Sequence, residues 1–462
     1  MPNTLSDWLV YLESLHPKTI SLGLERVEQV RQRLNLQPCF PIITVGGTNG
    51  KGSVCAMLES ILYAAGYKVG CYTSPHLLDY NERVRIAKRP VSDVELCASF
   101  EKIEQARAAT FSGTSSIPLT YFEFGTLAAM HCFITHKVDV AILEVGLGGR
   151  LDAVNVFDND CAVLTSVDID HTDYLGDTRE QIAFEKAGIF RAGKIAICAE
   201  TDVPLAVVES AHKIGAELWR INKEFSFAEN VLPSPSSGEV QGNATRTISI
   251  AQATVPSSQP KEREYKQWDY RSAVSERNSL PYPALRGGYQ LSNASAALAA
   301  LDALKGRLPV SMGAIRRGLV EVVLPGRFQV LPGSPQIILD VAHNPHAARA
   351  LAQDLANLPP CNKTFAVFSM LKDKDIAGVV GALNEQIDVW LVAGINVPRG
   401  ASSADMAGVL ATAGVKGAVL EFPSIENALQ HACNEASEND RIAAFGSFYT
   451  VAEAMRAQPR NA

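Results

Sequence analysis

The stretch FPIITVGGTNGKGSVCAMLESILYAAGYKVGCYTS (residues 40–74) decides the fold. FPIITV (40–45) is a compact apolar run without alternation, as in a strand buried on both faces. Glycines follow it. SVCAMLESILYAAGY (53–67) then places apolar residues at helical spacing and carries a Gly near its end. KVGCYTS (68–74) is a second strand-like run. A strand, a Gly-rich turn, a helix and a strand make the repeating unit of a parallel sheet covered by helices.

The same alternation extends in both directions. VDVAILEVG (138–146), DCAVLTSV (160–167) and KIAICAE (194–200) read as further buried strands of one sheet. From about Phe225 to Pro283 the composition turns to Ser, Pro and charge, with PSPSSGEV, ATVPSSQPKEREY and NSLPYP. This stretch reads as a surface insertion at about 225–283, partly flexible, in which TRTISIAQATV (245–255) has the alternation of a hairpin. NASAALAALDAL (293–304) reads as a helix, and LKGRLPVS (304–311) as an interdomain connection. A second α/β series follows, with strands at QIILDVAH (336–343), TFAVFSM (364–370), DVWLVAG (388–394), AVLEF (418–422) and RIAAFGS (441–447). The expected fold class is α/β. An N-terminal domain over 1–303 has a P-loop-type, mainly parallel sheet. A smaller Rossmann-like α/β domain spans 304–462.

Composition narrows the function. The 462 residues are 47% hydrophobic and 20% charged, enough for sizeable cores, so the chain as a whole is not disordered. A net charge of −7 argues against wrapping nucleic acid through bulk positive charge, but leaves room for a local cationic pocket. No run approaches the roughly 18 to 20 apolar residues of a membrane span. The first residues lack the pattern of a secretory signal. Nine cysteines without a C-x-x-C pair read as reduced thiols. The expectation is a cytoplasmic protein, monomeric, with no nucleic-acid or membrane partner.

The strongest chemical signal is VGGTNGKGS (45–53), set between a strand and a helix. A Gly-rich turn entering a helix offers backbone N–H groups and a positive dipole end to a phosphate. In such a cradle Gly50, Lys51, Gly52 and Ser53 face the nucleotide, with Lys51 on phosphate oxygens and Ser53 on Mg²⁺. The spacing departs from G-x-x-x-x-G-K-[ST], because Gly52 intervenes between Lys51 and Ser53. Ser74, Glu144 and His171 fall at or just after the C-terminal ends of other strands, where open parallel sheets bind ligands. Ser53, Ser74, Glu144 and His171 together are an oxygen-rich set that suits a hard cation such as Mg²⁺ shared with ATP. The ordinary alternatives are a polar strand end at Glu144 and an Asp-paired loop histidine at His171. GLGGR (146–150) lacks the spacing of a dinucleotide fingerprint and reads as a close-approach loop presenting Arg150 and Asp152.

GTNGKGS (47–53), YTSPHL (72–77), NERVRI (81–86), LEVGLGGRLDAVN (143–155), DIDHTDYLGDT (168–178), FEKAGIFR (184–191), LSNASAALAAL (291–301), LPGRFQV (324–330), LDVAHNP (339–345) and GSFYTVAEA (446–454) occur in one order along the chain. So do TISLGLERV (19–27) and LTYFEFGTLAAM (119–130). This series resembles the folylpolyglutamate synthase and dihydrofolate synthase family, which belongs with the Mur-type ATP-dependent amide ligases. The resemblance leaves unmatched mainly the polar insertion. It implies a Mur-ligase-like fold and ATP-dependent joining of L-glutamate to dihydropteroate and to reduced folates through an acyl phosphate. It supports Ser74, Glu144 and His171 as metal ligands, and implies nucleotide contacts at Asn293, Arg327 and Asp340. His343 and Ser447 match positions linked to the incoming glutamate and the cleft. Thr19, Ile20, Ser21, Thr120, Tyr121, Phe122, Glu123, Leu151, Asp152 and Ala153 match pterin contacts. Tyr121 and Phe122 can stack on a flat ring, or simply pack in the core. Lys186 matches a lysine often carbamylated in this family, where it supports a second Mg²⁺. The pattern alone reads it as a helix lysine paired with Glu185 or an Asp. Three other readings stay open: the folylpolyglutamate activity alone, a Mur-type ligase for another acid, and a P-loop binding protein without ligase activity.

Overall fold

The computed structural model of the chain describes residues 2–18, 20–108, 116–231, 266–397 and 399–457. The first sheet holds β1 (Ile42–Gly46), β2 (Val69–Tyr72), β3 (Val84–Ile86), β4 (Arg89–Pro90), β5 (Val140–Glu144), β6 (Cys161–Leu164), β7 (Ile195–Cys198) and β8 (Glu217–Arg220). Its order is β4-β3-β2-β5-β1-β6-β7-β8. From β2 to β8 every pairing is parallel, and β3 and β4 add an antiparallel edge. All five residues of β1 are buried, which is why its sequence shows no alternation. Ile42 faces one core, with Leu143 and Leu164. Ile43 and Val45 face the other, with the helix Lys51–Ala64.

β9 (Phe225–Val231), β10 (Lys266–Ser272) and β11 (Glu276–Pro281) form a small antiparallel sheet in the order β11-β10-β9. Here the expectation of a surface insertion over 225–283 fails at both ends. Phe225, Trp268, Tyr270 and Leu280 are buried in the same core as the helices Lys51–Ala64 and Gln290–Ala303. Alternation along KQWDYRS puts Trp268 and Tyr270 on one face, and the intervening polar residues masked that signal. The expected hairpin at 245–255 lies outside the described residues.

The third sheet holds β12 (Gln329–Leu331), β13 (Gln336–Asp340), β14 (Thr364–Phe368), β15 (Val389–Ala393), β16 (Ala418–Phe422) and β17 (Arg441–Phe445). Its order is β12-β13-β17-β14-β15-β16, parallel except for β12. The packing divides later than residue 303. The helix Met312–Val320 lies on the helix Lys51–Ala64, and a Cβ on Gly318 would come within 2.5 Å of the Ile61 backbone. Leu304, Leu308, Ile315, Leu319 and Val322 share that first-unit core. The stretch 304–311 is therefore core, and the crossing to the third sheet lies near Leu324–Arg327. Among the described residues no helix is long and apolar enough to cross a membrane.

Candidate active site

The turn after β1 is built for close approach. Gly47 and Gly50 adopt φ of 145° and 88°. A Cβ at Gly47 would fall 1.9 Å from Thr165 Oγ1, and one at Gly50 would fall 2.6 Å from Asn293 Oδ1. Only glycine combines that backbone with that space. The loop after β6 braces this turn. Thr48 N donates to Ser166 O at 2.8 Å, Asn49 N donates to Ser166 Oγ at 3.0 Å, and Thr165 Oγ1 donates to Asn49 O at 2.6 Å. Lys51 Nζ folds back onto the carbonyls of Gly47 (2.9 Å) and Thr48 (3.1 Å). Burial pushes its amine below the ordinary lysine range, and the Glu144 carboxylate opposes that.

The other parallel strands deliver groups to the same edge. Glu144 ends β5, is buried, and accepts from Ser74 N at 3.1 Å. Burial holds its carboxyl above the usual range, with Lys51 pulling the other way. Ser53 lies in the first helical turn and is buried. His171 follows β6 with φ of 54°, 3.8 Å from Asp170 Oδ2 and 3.3 Å from Lys374 Nζ. Burial pushes its imidazole down to about 4, so it is neutral at pH 7. Among the described residues no three His, Cys, Asp or Glu side chains converge as a metal cluster.

The second unit supplies the facing wall. Arg327 packs its guanidinium 5.1 Å from the Phe448 ring and lies close to Gly52. Asp340 ends β13 and accepts from Phe328 N and Ala342 N, both at 2.7 Å. Burial raises its carboxyl, and Arg327 draws it back. His343 is anchored by Nδ1 to Val341 O at 2.8 Å, and burial pushes it down to about 4. Ser447 is buried and spends its hydroxyl on Thr450 N (3.0 Å) and Thr450 Oγ1 (2.7 Å), opening the helix Phe448–Ala457. Asn293 stands opposite Gly50 at the start of the helix Gln290–Ala303. One cavity of about 840 Å³ joins the two walls. It is lined by Gly50, Lys51, Gly52, Ser74, Glu144, His171, Lys186, Asn293, Arg327, Asp340, His343 and Ser447.

Residues 45–301 match the Mur ligase middle domain, and residues 326–448 match the Mur ligase glutamate ligase domain. The dihydrofolate synthase/folylpolyglutamate synthase of Escherichia coli (strain K12) is 43% identical over 452 residues, which cover 98% of this chain and 94% of that protein. The chain belongs to the dihydrofolate synthase/folylpolyglutamate synthase family. Similar solved structures include E. coli FolC in complex with DHPP and ADP, with a TM-score of 0.85 and 42% identity, covering 99% of this chain and 98% of that one. A bifunctional folylpolyglutamate synthase/dihydrofolate synthase with Mn, AMPPNP and L-glutamate bound gives 0.83 and 44%, covering 98% of both chains.

In this synthase Lys186 is not paired with its neighbour. Glu185 bonds Arg150 instead, at 2.8 Å, and Lys186 forms no ion pair among the described residues. Burial first, then the Lys51 ammonium, pushes its amine down to about 7. The GLGGR turn is a close approach, since a Cβ on Gly149 would lie 2.8 Å from Lys186 O.

The positions expected at a pterin gather outside that cavity. Thr120 and Glu123 close a capping box on the helix Tyr121–His136. Glu123 also pairs with Arg26 at 2.8 Å, and Arg26 bonds Ser21 O at 2.7 Å. Phe122 packs 5.8 Å from Tyr72. Leu151 O accepts from Gly23 N at 3.3 Å, and Asp152, pushed up to about 7 by burial, accepts from Leu147 N and Val154 N. Ala153 is buried, Ile20 is half-buried, and Thr19 lies outside the described residues. Sequence reasoning missed Asn49, Asp170, Asn344, His346 and Lys374, which meet across the cleft. Asn49, Asp170 and Asn344 lie inside quoted motifs, but only the three-dimensional contact gives them a task.

Proposed function

We propose that this synthase couples ATP cleavage to amide formation, joining L-glutamate to dihydropteroate and adding further glutamates to reduced folates. The observation that carries this reading is the single cavity with a phosphate loop on one wall and Arg327, Asp340 and His343 on the other. A carboxylate is a poor electrophile, so ATP first converts it to an acyl phosphate. The glutamate amine then attacks the acyl carbon, and phosphate leaves as the amide forms. Lys51 and the loop N–H groups hold the moving phosphoryl group from one side, and Arg327 holds it from the other. Asn293 and Asp340 hold the nucleotide. His343, neutral at pH 7, faces the incoming glutamate with Ser447. The pterin rests against the Tyr121–Phe122 end of its helix, near Ile20–Ser21 and Leu151–Ala153.

The donors of Ser53, Ser74, Glu144 and His171 fit a divalent ion that completes its shell with nucleotide oxygens, because the protein alone offers too few carboxylates. An ion held by these residues would supply positive charge to the nucleotide phosphates. Lys186 supports a second Mg²⁺ once its amine adds CO₂ to give a carbamate and a proton; an amine near neutrality is nucleophilic enough to do so. An intact mass without the carbamate, together with Lys186→Ala activity that short carboxylates fail to restore, would overturn this.

The decisive assay is ATP-dependent phosphate release with dihydropteroate, tetrahydrofolate or a muramyl acid, each with and without glutamate. Stimulation by both pterin substrates plus glutamate is expected. Stimulation by neither overturns the reading.

A further inference from the structure

The main cavity does not end at the phosphates. It continues past Ser74 along the loop 75–83 and reaches the helix Phe448–Ala457, where Arg83 and Arg456 line it. Arg83 lies 5.4 Å from the Tyr80 ring centre and 5.6 Å from that of Tyr121, so two tyrosines fix its plane. Its Nε donates to His76 Nδ1 at 2.8 Å. That bond requires a neutral His76, and burial beside Arg83 keeps the ring so.

Neither arginine has a carboxylate partner within ion-pairing distance among the described residues. The nearest acid in sequence is already committed: Glu82 accepts from Leu77 N and Leu78 N at 2.8 Å and from Asp79 N at 2.9 Å. Arg456 reaches across from the second unit and donates one N–H to Leu78 O at 3.3 Å. Arg83 stacks on two tyrosines with no ion pair among the described residues, and Arg456 stands beside it with Glu453, three residues back on the same helix and lining the same cavity, as its neighbouring acid but outside ion-pairing distance; a cationic pair held this loosely by carboxylates suits an anion brought by the substrate.

We propose that Arg83 and Arg456, with His76 beside Arg83, form a carboxylate site for glutamates already attached to a folate substrate. The proposal rests on the folate reading above. A γ-linked tail carries one free α-carboxylate on each residue, whereas dihydropteroate carries no tail. Tyr121 ties Arg83 to the region expected to hold the pterin, so a tail running from there toward Lys51 passes these groups. The site therefore serves chain extension more than the first addition.

The test compares kcat/KM for dihydropteroate and for tetrahydropteroyl-triglutamate at saturating ATP and glutamate, in wild type, Arg83→Met and Arg456→Gln. Loss of a charge-assisted, forked bond lowers the triglutamate-to-dihydropteroate ratio by about ten-fold or more, mainly through the triglutamate KM. Arg83→Lys recovers part of it, since charge without the fork is a poorer match. An unmoved ratio in both variants overturns the proposal. So does a rise in the glutamate KM that is equal with both acceptors, which would place the incoming amino acid there. If Arg83→Met does not fold, Arg456→Gln, on an exposed residue of the last described helix, gives the same readout. A wild type inert to both acceptors sinks the folate reading itself. An active wild type with unmoved ratios sinks only the tail site.

Discussion

Lys186 is an amine buried beside another amine, and that has a thermodynamic consequence. Its folded pKa lies near 7, below the ordinary 10.5. Between those values the unfolded chain binds the extra proton, so stability rises with pH across that window, by up to about 1.4 kcal/mol per unit. Urea unfolding in CO₂-free buffer from pH 7 to 10 should show this rise, and Lys186→Met should flatten it. A slope equal to wild type in that variant would show that another group is responsible. This behaviour was not legible in FEKAGIF. The neighbouring Glu185 suggested an ordinary helix pair, and only the fold shows Arg150 taking that carboxylate. Glu144 and His171 were legible in a weaker sense. Their positions at strand ends pointed to the ligand edge, and the Asp beside His171 was the ordinary alternative there, while its Lys374 contact had no sequence signal.

Among elements, the strand–turn–helix from Ile42 to Ala64 was the most legible. Buried parallel strands leave uninterrupted apolar runs, and a phosphate turn needs glycines where backbone and ligand approach. Gly50 tests that reading. An Ala there meets Asn293 Oδ1 and must hold a left-handed backbone. Gly50→Ala is expected to cost about 1–2 kcal/mol of stability and to raise the ATP KM by about ten-fold or more, because Asn293 is displaced from the nucleotide wall. Thermal melts and ATP titration at saturating pterin substrate read the two effects separately, and an unchanged ATP KM would remove Asn293 and Gly50 from the nucleotide wall. β10 was the least legible element. Trp268 and Tyr270 are interleaved with Asp269 and Arg271 in a Ser- and Pro-rich context, and composition outweighed a two-residue alternation. The helix Met312–Val320, which follows residue 303, packs on the helix Lys51–Ala64. Its apolar face showed that it packs, but not on what.

At the scale of the whole molecule, polar contacts join the two units at the loop after β1 and the loop that carries His171. Asn49 and Asn344 exchange amide bonds at 3.2 Å in both directions, and Asn49 also reaches His346 Nδ1 at 2.8 Å. Lys374 bonds Asp170 at 2.7 Å, both groups nearly buried, and Arg349 approaches Asp168 at 3.4 Å. Every one of these first-unit partners belongs to the phosphate loop or to the loop that carries His171. The contacts that join the two units therefore also hold the loop after β1 and the loop that carries His171. Asn344 also caps the helix Pro345–Ala356 through Ala347 N at 2.9 Å, and the two roles separate by substitution. Asn344→Ser keeps a capping oxygen but is too short to reach Asn49. It should leave the melting temperature close to wild type while lowering kcat by about ten-fold, the scale of one or two lost positioning bonds. Asn49→Ala should lower kcat similarly, and the double variant should fall by less than the product of the two single losses, since both remove the Asn49–Asn344 pair while only Asn49→Ala removes the His346 bond and only Asn344→Ser the Asp170 bond. Additive losses would mean that the two asparagines act separately, and that the Asn49–Asn344 pair does not couple the two units.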